Sequence, residues 1–170
     1  STSGIATTGA HQTTYGGGNY DCFLVKMTPT GSRIWATYFG GTDNEKTNVE
    51  YQVFVGCDSS NNIYMVGNTR STTGIATTGA LQTSNGGNID GFLAKFNTSG
   101  VRQWATYLGG TDNDNMRKLA FDINGNVYVA GEMRSGGLAT AGSHQSTIGG
   151  NNDAYLIKFN SSGARQWATY

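Results

Sequence analysis

The chain has 170 residues and a formal net charge of zero, and charged residues make up only 13% of it. That length suffices for one domain with a sizeable core, and the charged fraction lies well below the ~25% usual in soluble domains. The sequence has no Lys/Arg run, which argues against nucleic-acid binding and a basic membrane patch. Its longest apolar runs, about five residues, are far too short to span a membrane.

Apolar segments rich in β-branched and aromatic residues, bounded by Gly, Asn and Ser, predict ten short strands and no helix. In chain order these segments are 21–27, 33–39, 53–58, 63–67, 90–96, 101–108, 118–122, 126–131, 153–159 and 165–170. The Asn124-Gly125 pair between the seventh and eighth segments favours a tight hairpin, because both residues accept positive φ angles. The pattern therefore predicts antiparallel hairpins throughout.

A phrase of the form Arg-x-Trp-Ala-Thr-Tyr occurs three times and contains all three tryptophans, Trp35, Trp104 and Trp167, spaced 69 and 63 residues apart. A repeat of this length is a whole supersecondary unit, and four short strands per unit are typical of a β-propeller blade. We label the strands A to D from the propeller axis outward. The sequence then divides into a half blade at 1–39 (strands C and D) and complete blades at 40–108 and 109–170. A closed propeller needs at least ~4 blades, so we expect an open segment of a larger propeller or assembly.

Several phrases resemble the bacterial SBBP family of β-propeller repeats. They are Asp90-Gly91-Phe92-Leu93-Ala94-Lys95, Ser99-Gly100-Val101-Arg102-Gln103-Trp104, Asp122 to Tyr128, and Thr78-Gly79-Ala80-Leu81-Gln82. The resemblance covers nearly the whole chain and implies secreted or cell-surface proteins with many repeats and no catalytic residues. The chain departs from the pattern by a five-residue insertion in the stretch 45–52.

The B–C and D–A connections are long, whereas the A–B and C–D turns are short, and in a propeller the long loops emerge on one face. Elaborated loops on a rigid scaffold are the usual place for binding. The candidate ligand-binding residues are Thr42, Asp43, Asn44, Thr111, Asp112, Asn113 and Asp114. No cofactor is expected. Asp112, Asp114 and Asn115 offer oxygen ligands for calcium, but the twelve-residue loop with a terminal Glu is missing, so turn-forming hydrogen bonds are the alternative role.

Three aspartates, Asp21, Asp90 and Asp153, precede equivalent C strands, and an arginine recurs on each D strand. Three identical copies argue against catalysis, because an active site is normally single. We therefore expect these aspartates to cap a loop or to pair with Arg or Lys. The recurring tryptophans are likewise structural.

Cys22 and Cys57 do not recur in the other units. They are interpreted as two small buried hydrophobic residues or as a disulfide. A metal site is the weakest reading, because two thiols without a CxxC pair or nearby histidines make a poor one.

These features favour a non-enzymatic propeller segment of a secreted or cell-surface bacterial protein that serves as a scaffold, adhesion or assembly module. The alternative is a carbohydrate-binding propeller that uses the loops of one face. The expected partners are proteins or further repeats of the same kind, with glycans as a second class and without nucleic acid or membrane insertion. The C strand at 21–27 would offer an unpaired edge to a partner strand.

Overall fold

The computed structural model describes residues 1–45 and 53–170, and these residues form ten strands and no helix, which confirms the all-β prediction. The strands are β1 (Cys22–Met27), β2 (Arg33–Phe39), β3 (Phe54–Cys57), β4 (Ile63–Thr69), β5 (Asp90–Phe96), β6 (Arg102–Leu108), β7 (Asn115–Phe121), β8 (Val127–Met133), β9 (Asp153–Phe159) and β10 (Arg165–Thr169). Apart from Glu45, the predicted insertion at 45–52 lies outside the described residues. None of the described residues belongs to a helix that could cross a membrane.

The strands form three antiparallel sheets in which chain neighbours pair with each other. Strands β3-β4-β5-β6 make one four-stranded sheet, β7-β8-β9-β10 make a second, and β1-β2 make a two-stranded sheet. The turns that link strand A to B and strand C to D are short. One polar side chain organises the backbone of each turn. In the β7–β8 turn, for example, Asp122 Oδ1 accepts the N–H groups of Asn124 and Asn126 at 3.0 and 2.9 Å, which fixes the turn locally. This arrangement agrees with the expected open blades of a propeller.

The predicted start of strand A in the last sheet at Lys118 was wrong, because β7 begins at Asn115. The N–H of Met116 donates to Asn68 Oδ1, on the preceding sheet, at 2.8 Å. A bulge between Met116 and Lys118 then re-aims the strand. The Asn68 side chain of the neighbouring sheet therefore extends β7 at its start. The β-propensity of the residues in β7 does not reveal this extension.

Two apolar cores fill the spaces between successive sheets. The first lies between β1-β2 and the next sheet and contains Phe39, Met65, Phe92 and Phe96. The second lies between the two four-stranded sheets and is built from these buried residues: Tyr64, Val66, Leu93, Leu108, Met116, Val127, Val129, Met133, Leu138, Tyr155, Ile157, Phe159 and Ala168. Alternate residues of β5 thus enter different cores, since side chains alternate across a strand. A sheet that is apolar on both faces needs a neighbour on each side.

Gly56 marks the place where the A strands of two sheets come closest. A Cβ atom built there would lie 2.6 Å from Leu119 Cδ1 and 2.9 Å from Phe121 Cε2. Both side chains belong to β7, so a side chain at this position would have to displace them. The narrow spacing on strand A and the large aromatics of strand D agree with radial packing around an axis.

We expect Gly56→Val to lower the free energy of unfolding by about 1–3 kcal/mol, because an added side chain overpacks the contact between β3 and β7. Urea denaturation followed by far-ultraviolet circular dichroism measures the change. The control is Gly150→Val, a glycine with no atom within 4 Å of a built Cβ. Equal losses for the two variants would contradict the close approach at Gly56.

Candidate functional site

The long loops emerge at one end of the sheets. Thr69 at the end of β4 pairs with Asp90 at the start of β5, and Gly91 pairs with Leu108 at the end of β6. The B–C and D–A connections therefore leave the sheets together. We call this end the loop face, and it comprises residues 1–20, 40–45, 70–89, 109–114 and 134–152.

Each B–C connection runs along the outer edge of strand D. In the middle unit the Thr77 N–H donates to the Ala105 carbonyl at 2.9 Å, and the Tyr107 N–H donates to the Gln82 carbonyl at 3.1 Å. The same pair of bonds recurs in the other two units, at Thr7 and Gln12 and at Thr140 and Gln145. The segment therefore covers an edge that would otherwise be open to strand addition.

One glutamine and one aspartate hold this segment in every unit. Gln82 Nε2 donates to Asp90 Oδ2 at 2.8 Å, and Gln82 Oε1 accepts the Gly109 N–H at 3.0 Å. Asp90 Oδ2 also accepts the Gly86 N–H at 2.9 Å. Gln12 with Asp21 and Gln145 with Asp153 make the corresponding contacts to their own loops. The recurring aspartates are thus placed as caps of the B–C loops.

The recurring arginines lie against loop carbonyls. Arg102 Nη1 donates to the Ile75 carbonyl at 2.8 Å, and Arg33 and Arg165 do the same to Ile5 and Leu138. Ile75 is completely buried. The apolar residue of the loop therefore enters the core while the arginine secures its backbone.

The sequence-predicted ligand residues of the D–A loops are tied to the following B–C loop through their backbone. The Asp112 N–H donates to Ser135 Oγ at 2.8 Å, and Asp112 Oδ1 accepts the Asn113 N–H at 2.7 Å. Asp43 makes the equivalent bonds to Ser71 and Asn44. Of the predicted ligand residues, Thr42, Asp43, Thr111 and Asp112 are exposed on the loop face.

Asp114, offered as a calcium ligand, is completely buried and bonded to the backbone. Its Oδ1 accepts the N–H groups of Arg134 and Ser135 at 2.9 and 3.1 Å, and its Oδ2 accepts the Gly110 N–H at 2.6 Å. Three N–H donors stabilise an anion and occupy the oxygens that a cation would need. Within residues 1–45 and 53–170, no group of three or more His, Cys, Asp or Glu side chains could hold a metal ion.

Sequence reasoning missed a pair of carboxyl groups at the first sheet junction, formed by Glu45 and Asp21. Glu45 Oε1 accepts the Thr69 and Ser71 hydroxyls at 2.8 and 2.5 Å, whereas Glu45 Oε2 and Asp21 Oδ1 are buried without a donor. A Cβ on Gly40 would collide with both carboxyl groups, so both lie against this glycine. The only sequence signal is a lone Glu that follows a Gly-Gly-Thr-Asp-Asn phrase.

Burial raises the pKa of Glu45 from 4.5 to about 8, and Asp21 contributes to the rise while the two hydroxyl donors oppose it. At the second junction Asp114 replaces Glu45. There burial raises the pKa of Asp90 to about 6, with a smaller contribution from the charge of Asp114. Each junction thus holds two neighbouring carboxyl groups, one of which has a raised pKa.

His11 packs as a side chain of the first core. Its ring lies 6.3 Å from the Phe39 ring and 5.8 Å from the Phe96 ring, between centroids. Burial lowers its pKa to about 4, aided by Arg102. The two cysteines are free thiols, with Cys22 buried and Cys57 exposed, so the structure contains no disulfide between them.

A second repeated contact joins each sheet to the next one. Trp104 Nε1 and Lys95 Nζ both donate to the Ser161 carbonyl, at 3.1 and 2.8 Å. Trp35 and Lys26 hold the Thr98 carbonyl in the same way, at 3.2 and 3.0 Å. Both carbonyls belong to C–D turns, and we call this Trp/Lys pair and its acceptor the turn clamp.

A glycine allows the clamped turn to approach the indole. A Cβ built on Gly163 would lie 2.7 Å from Trp104 Cδ2, and one on Gly100 would lie 2.9 Å from Trp35 Cδ2. Both glycines have positive φ angles, +86° and +79°, which also favour glycine. The glycine of each Ser-Gly pair is therefore required for two reasons: the backbone of its own turn needs a positive φ, and the indole of the neighbouring sheet lies too close for a Cβ atom.

Successive antiparallel sheets, joined by the same clamp and carrying their long loops on one face, define a β-propeller repeat protein. Residues 103–132, from β6 to β8 across a sheet junction, match the family model of the SBBP β-propeller repeat. This match supports the resemblance to the bacterial SBBP family that the sequence motifs indicate.

The regulatory protein FlaEY of Caulobacter vibrioides is similar to this chain, with 28% identity over 150 residues. The match covers 88% of this chain and 15% of that protein. This chain therefore spans a small part of the length of the curated relative that it matches.

We expect the free energy of unfolding to fall by at least ~1 kcal/mol as the pH rises from about 5 to 8, with Glu45 as a main contributor. Folding raises the pKa of Glu45 to about 8, so the folded state keeps a proton that the unfolded state releases above about 4.5. Glu45→Gln should remove most of this pH dependence and raise stability at pH 8. Urea titrations at a series of pH values measure both effects.

The matched variant for this test is Asp43→Asn, which removes a carboxylate from the exposed part of the same loop. It should retain the pH dependence of the parent protein. If Glu45→Gln also retained it, the buried pair would not be its source.

We expect Gln82→Ala to lower the free energy of unfolding by about 1–3 kcal/mol, because Asp90 and the Gly109 N–H each lose a partner in a partly buried network. Hydrogen exchange should accelerate in the segment 77–87. Gln103→Ala on the exposed side of β6 is the control, and it should change stability by less than ~0.5 kcal/mol. Similar losses for both variants would argue against the loop-holding role of Gln82.

Proposed function

We propose that this chain is a non-enzymatic scaffold and assembly segment of a secreted or cell-surface bacterial protein. The observation that carries the proposal is the turn clamp, which joins successive sheets with the same two donors and the same type of acceptor. The recurring Gln, Asp and Arg side chains bond the protein's own loops. Repetition of this chemistry supports a structural use, because stacking is what a repeat unit needs to bury its apolar faces.

The similarity to FlaEY also supports a non-enzymatic function. Its name describes that protein as regulatory and names no enzyme activity. The low charged fraction and the abundance of Gly, Ser, Thr and Asn support the proposed location outside the cytoplasm.

The second candidate function is carbohydrate binding on the loop face. A polar cavity of about 430 Å³ is lined there by Asp112, Arg134 and residues 150–152. The carboxylate, guanidinium and amide groups of this lining suit a sugar. However, none of the described residues that line this cavity carries an aromatic ring for stacking on a sugar face, which favours the scaffold.

The turn clamp can be tested by Lys95→Met, which keeps most of the side-chain volume but removes the donor to Ser161. We expect a loss of about 1–3 kcal/mol in the free energy of unfolding, the usual range for a hydrogen bond from a charged group. Lys158→Met is the matched control, because Lys158 occupies the equivalent place on β9 but contacts Asp122 at 3.6 Å and the Tyr128 ring instead of a turn carbonyl of the described residues. Urea denaturation in dilute solution compares the two variants.

Equal stabilities for Lys95→Met and the parent protein would contradict a scaffold coupled through the clamp.

A glycan array decides between the two candidate functions. The scaffold is expected to bind none of the glycans. Binding that Asp112→Ala abolishes would favour the carbohydrate function.

A further inference from the structure

We propose that Asn124 is a site of spontaneous covalent modification, at which the side-chain amide is converted through a cyclic imide into an aspartyl or isoaspartyl residue. The chain has two Asn-Gly pairs, Asn85-Gly86 and Asn124-Gly125. Their sequences are equally suited to this reaction, but their surroundings in the structure are different. The modification goes beyond the proposed scaffold function and does not depend on it.

The reaction needs only the chain itself and water. The Gly125 nitrogen attacks Asn124 Cγ and forms the C–N bond of the imide, while the side-chain nitrogen takes up the proton of the former N–H and leaves as ammonia. Water then hydrolyses the imide. Cleavage of the new bond gives an aspartyl residue, and cleavage of the original peptide bond gives an isoaspartyl residue, whose main chain runs through the side-chain carbon. The attack is intramolecular, so its rate depends on how freely the two groups can meet.

The Asn124 side chain is free to react. It is exposed in the A–B turn between β7 and β8, and the structure gives its carboxamide no hydrogen-bond partner within residues 1–45 and 53–170. The attacking Gly125 N–H donates to the Asp122 carbonyl at 3.1 Å. No atom lies within 4 Å of a Cβ built on Gly125, which leaves room for the imide. Only this turn bond has to open first, and bonds at exposed hairpin ends open at low cost.

Asn85 is held in place by hydrogen bonds on both sides of its carboxamide. Its Nδ2 donates to the Thr69 carbonyl at 3.3 Å, and its Oδ1 accepts the Gly87 N–H at 2.9 Å. The Gly86 N–H, which would have to attack, donates to Asp90 Oδ2 at 2.9 Å. A Cβ built on Gly86 would lie 2.6 Å from a carbonyl oxygen of the next D–A loop. Reaction at this pair therefore requires all these bonds to break and the covering loop to move.

The modification would weaken the turn in which it occurs. Asp122 Oδ1 accepts the N–H groups of Asn124 and Asn126 at 3.0 and 2.9 Å, and an isoaspartyl residue between them adds a methylene group to the main chain. The two N–H groups can then no longer reach the same oxygen. Phe121, which precedes this turn, packs against Tyr64 of the preceding sheet with 5.0 Å between ring centroids. The contact between the two sheets therefore loses the turn that holds one of its side chains in place.

The equivalent turn of the preceding sheet supplies a matched control variant. There the Ser60 N–H donates to Asp58 Oδ1 at 2.9 Å, and the Asn61 N–H donates to the Asp58 carbonyl at 2.9 Å. The same two bonds occur in the β7–β8 turn. Asn124→Ser therefore introduces a side chain that this chain already uses at the corresponding position. It keeps the turn and removes the reacting amide.

The test is storage of the full chain in neutral buffer, with samples taken over time. Peptide mapping by mass spectrometry measures the conversion of amide to carboxyl at each Asn-Gly pair, and methyl transfer by a protein isoaspartyl methyltransferase measures the isoaspartyl product. We expect position 124 to react at least ~10-fold faster than position 85, which corresponds to ~1.4 kcal/mol for the bonds that hold Asn85. In concentrated urea, where the fold is lost, the two positions should react at similar rates.

The effect on the fold is measured on the same stored samples. The parent protein should unfold at a lower urea concentration after storage than before it, and hydrogen exchange should accelerate in the segment 121–127. Stored Asn124→Ser should unfold at the same urea concentration as a fresh sample of the same variant. A similar decline in both proteins would show that the loss of stability does not arise at this turn.

Equal rates at the two positions in the folded chain, or a faster reaction at position 85, would overturn the proposal. A position 124 that reacts in urea but not in the folded chain would overturn it as well. The scaffold function is tested separately by the comparison of Lys95→Met with Lys158→Met, because neither side chain takes part in the reaction. Failure of one proposal is therefore distinguishable from failure of the other.

Discussion

The structure depends on one constraint: each sheet is apolar on both faces and must therefore be covered twice. β5 shows this most clearly, because Phe92 enters one core and Leu93 the other. Apolar burial drives the stacking but is not directional. The turn clamp supplies the direction, since Trp104 Nε1 and Lys95 Nζ reach one carbonyl only when the next sheet has the correct offset and rotation. Gly163 allows the close approach that this geometry requires.

The outer edges of the sheets are controlled in a different way. Every D strand would present free N–H and C=O groups, and the B–C segment covers them through the bonds of Thr77 and Gln82 and their equivalents. Growth by edge pairing is thereby suppressed at the rim.

Much of this fold could be predicted from the sequence, because the alternation of apolar residues and the turn residues are local signals. The segments 90–96 and 153–159 were predicted with the bounds that β5 and β9 have. The start of β7 was mispredicted because it depends on Asn68, 48 residues away from Met116. The Glu45 pair was missed for the same reason: its partners Asp21, Thr69 and Ser71 come together only when two sheets dock. Thr42, Asp43 and Asn44 could be named as loop residues, but their anchoring to the next loop could not.

The two carboxyl pairs lie between neighbouring sheets, where an apolar contact would be expected. Their burial is therefore unfavourable in free energy. Burying a carboxylate without a full set of donors is unfavourable, and the protein answers this cost differently at its two junctions. At the second, three N–H groups satisfy Asp114, and the raised pKa falls on Asp90. At the first, Glu45 has hydroxyl donors on one oxygen only, and its raised pKa means that a proton completes the pair at neutral pH. The first junction is therefore the more sensitive of the two to alkaline conditions, although both use the same clamp.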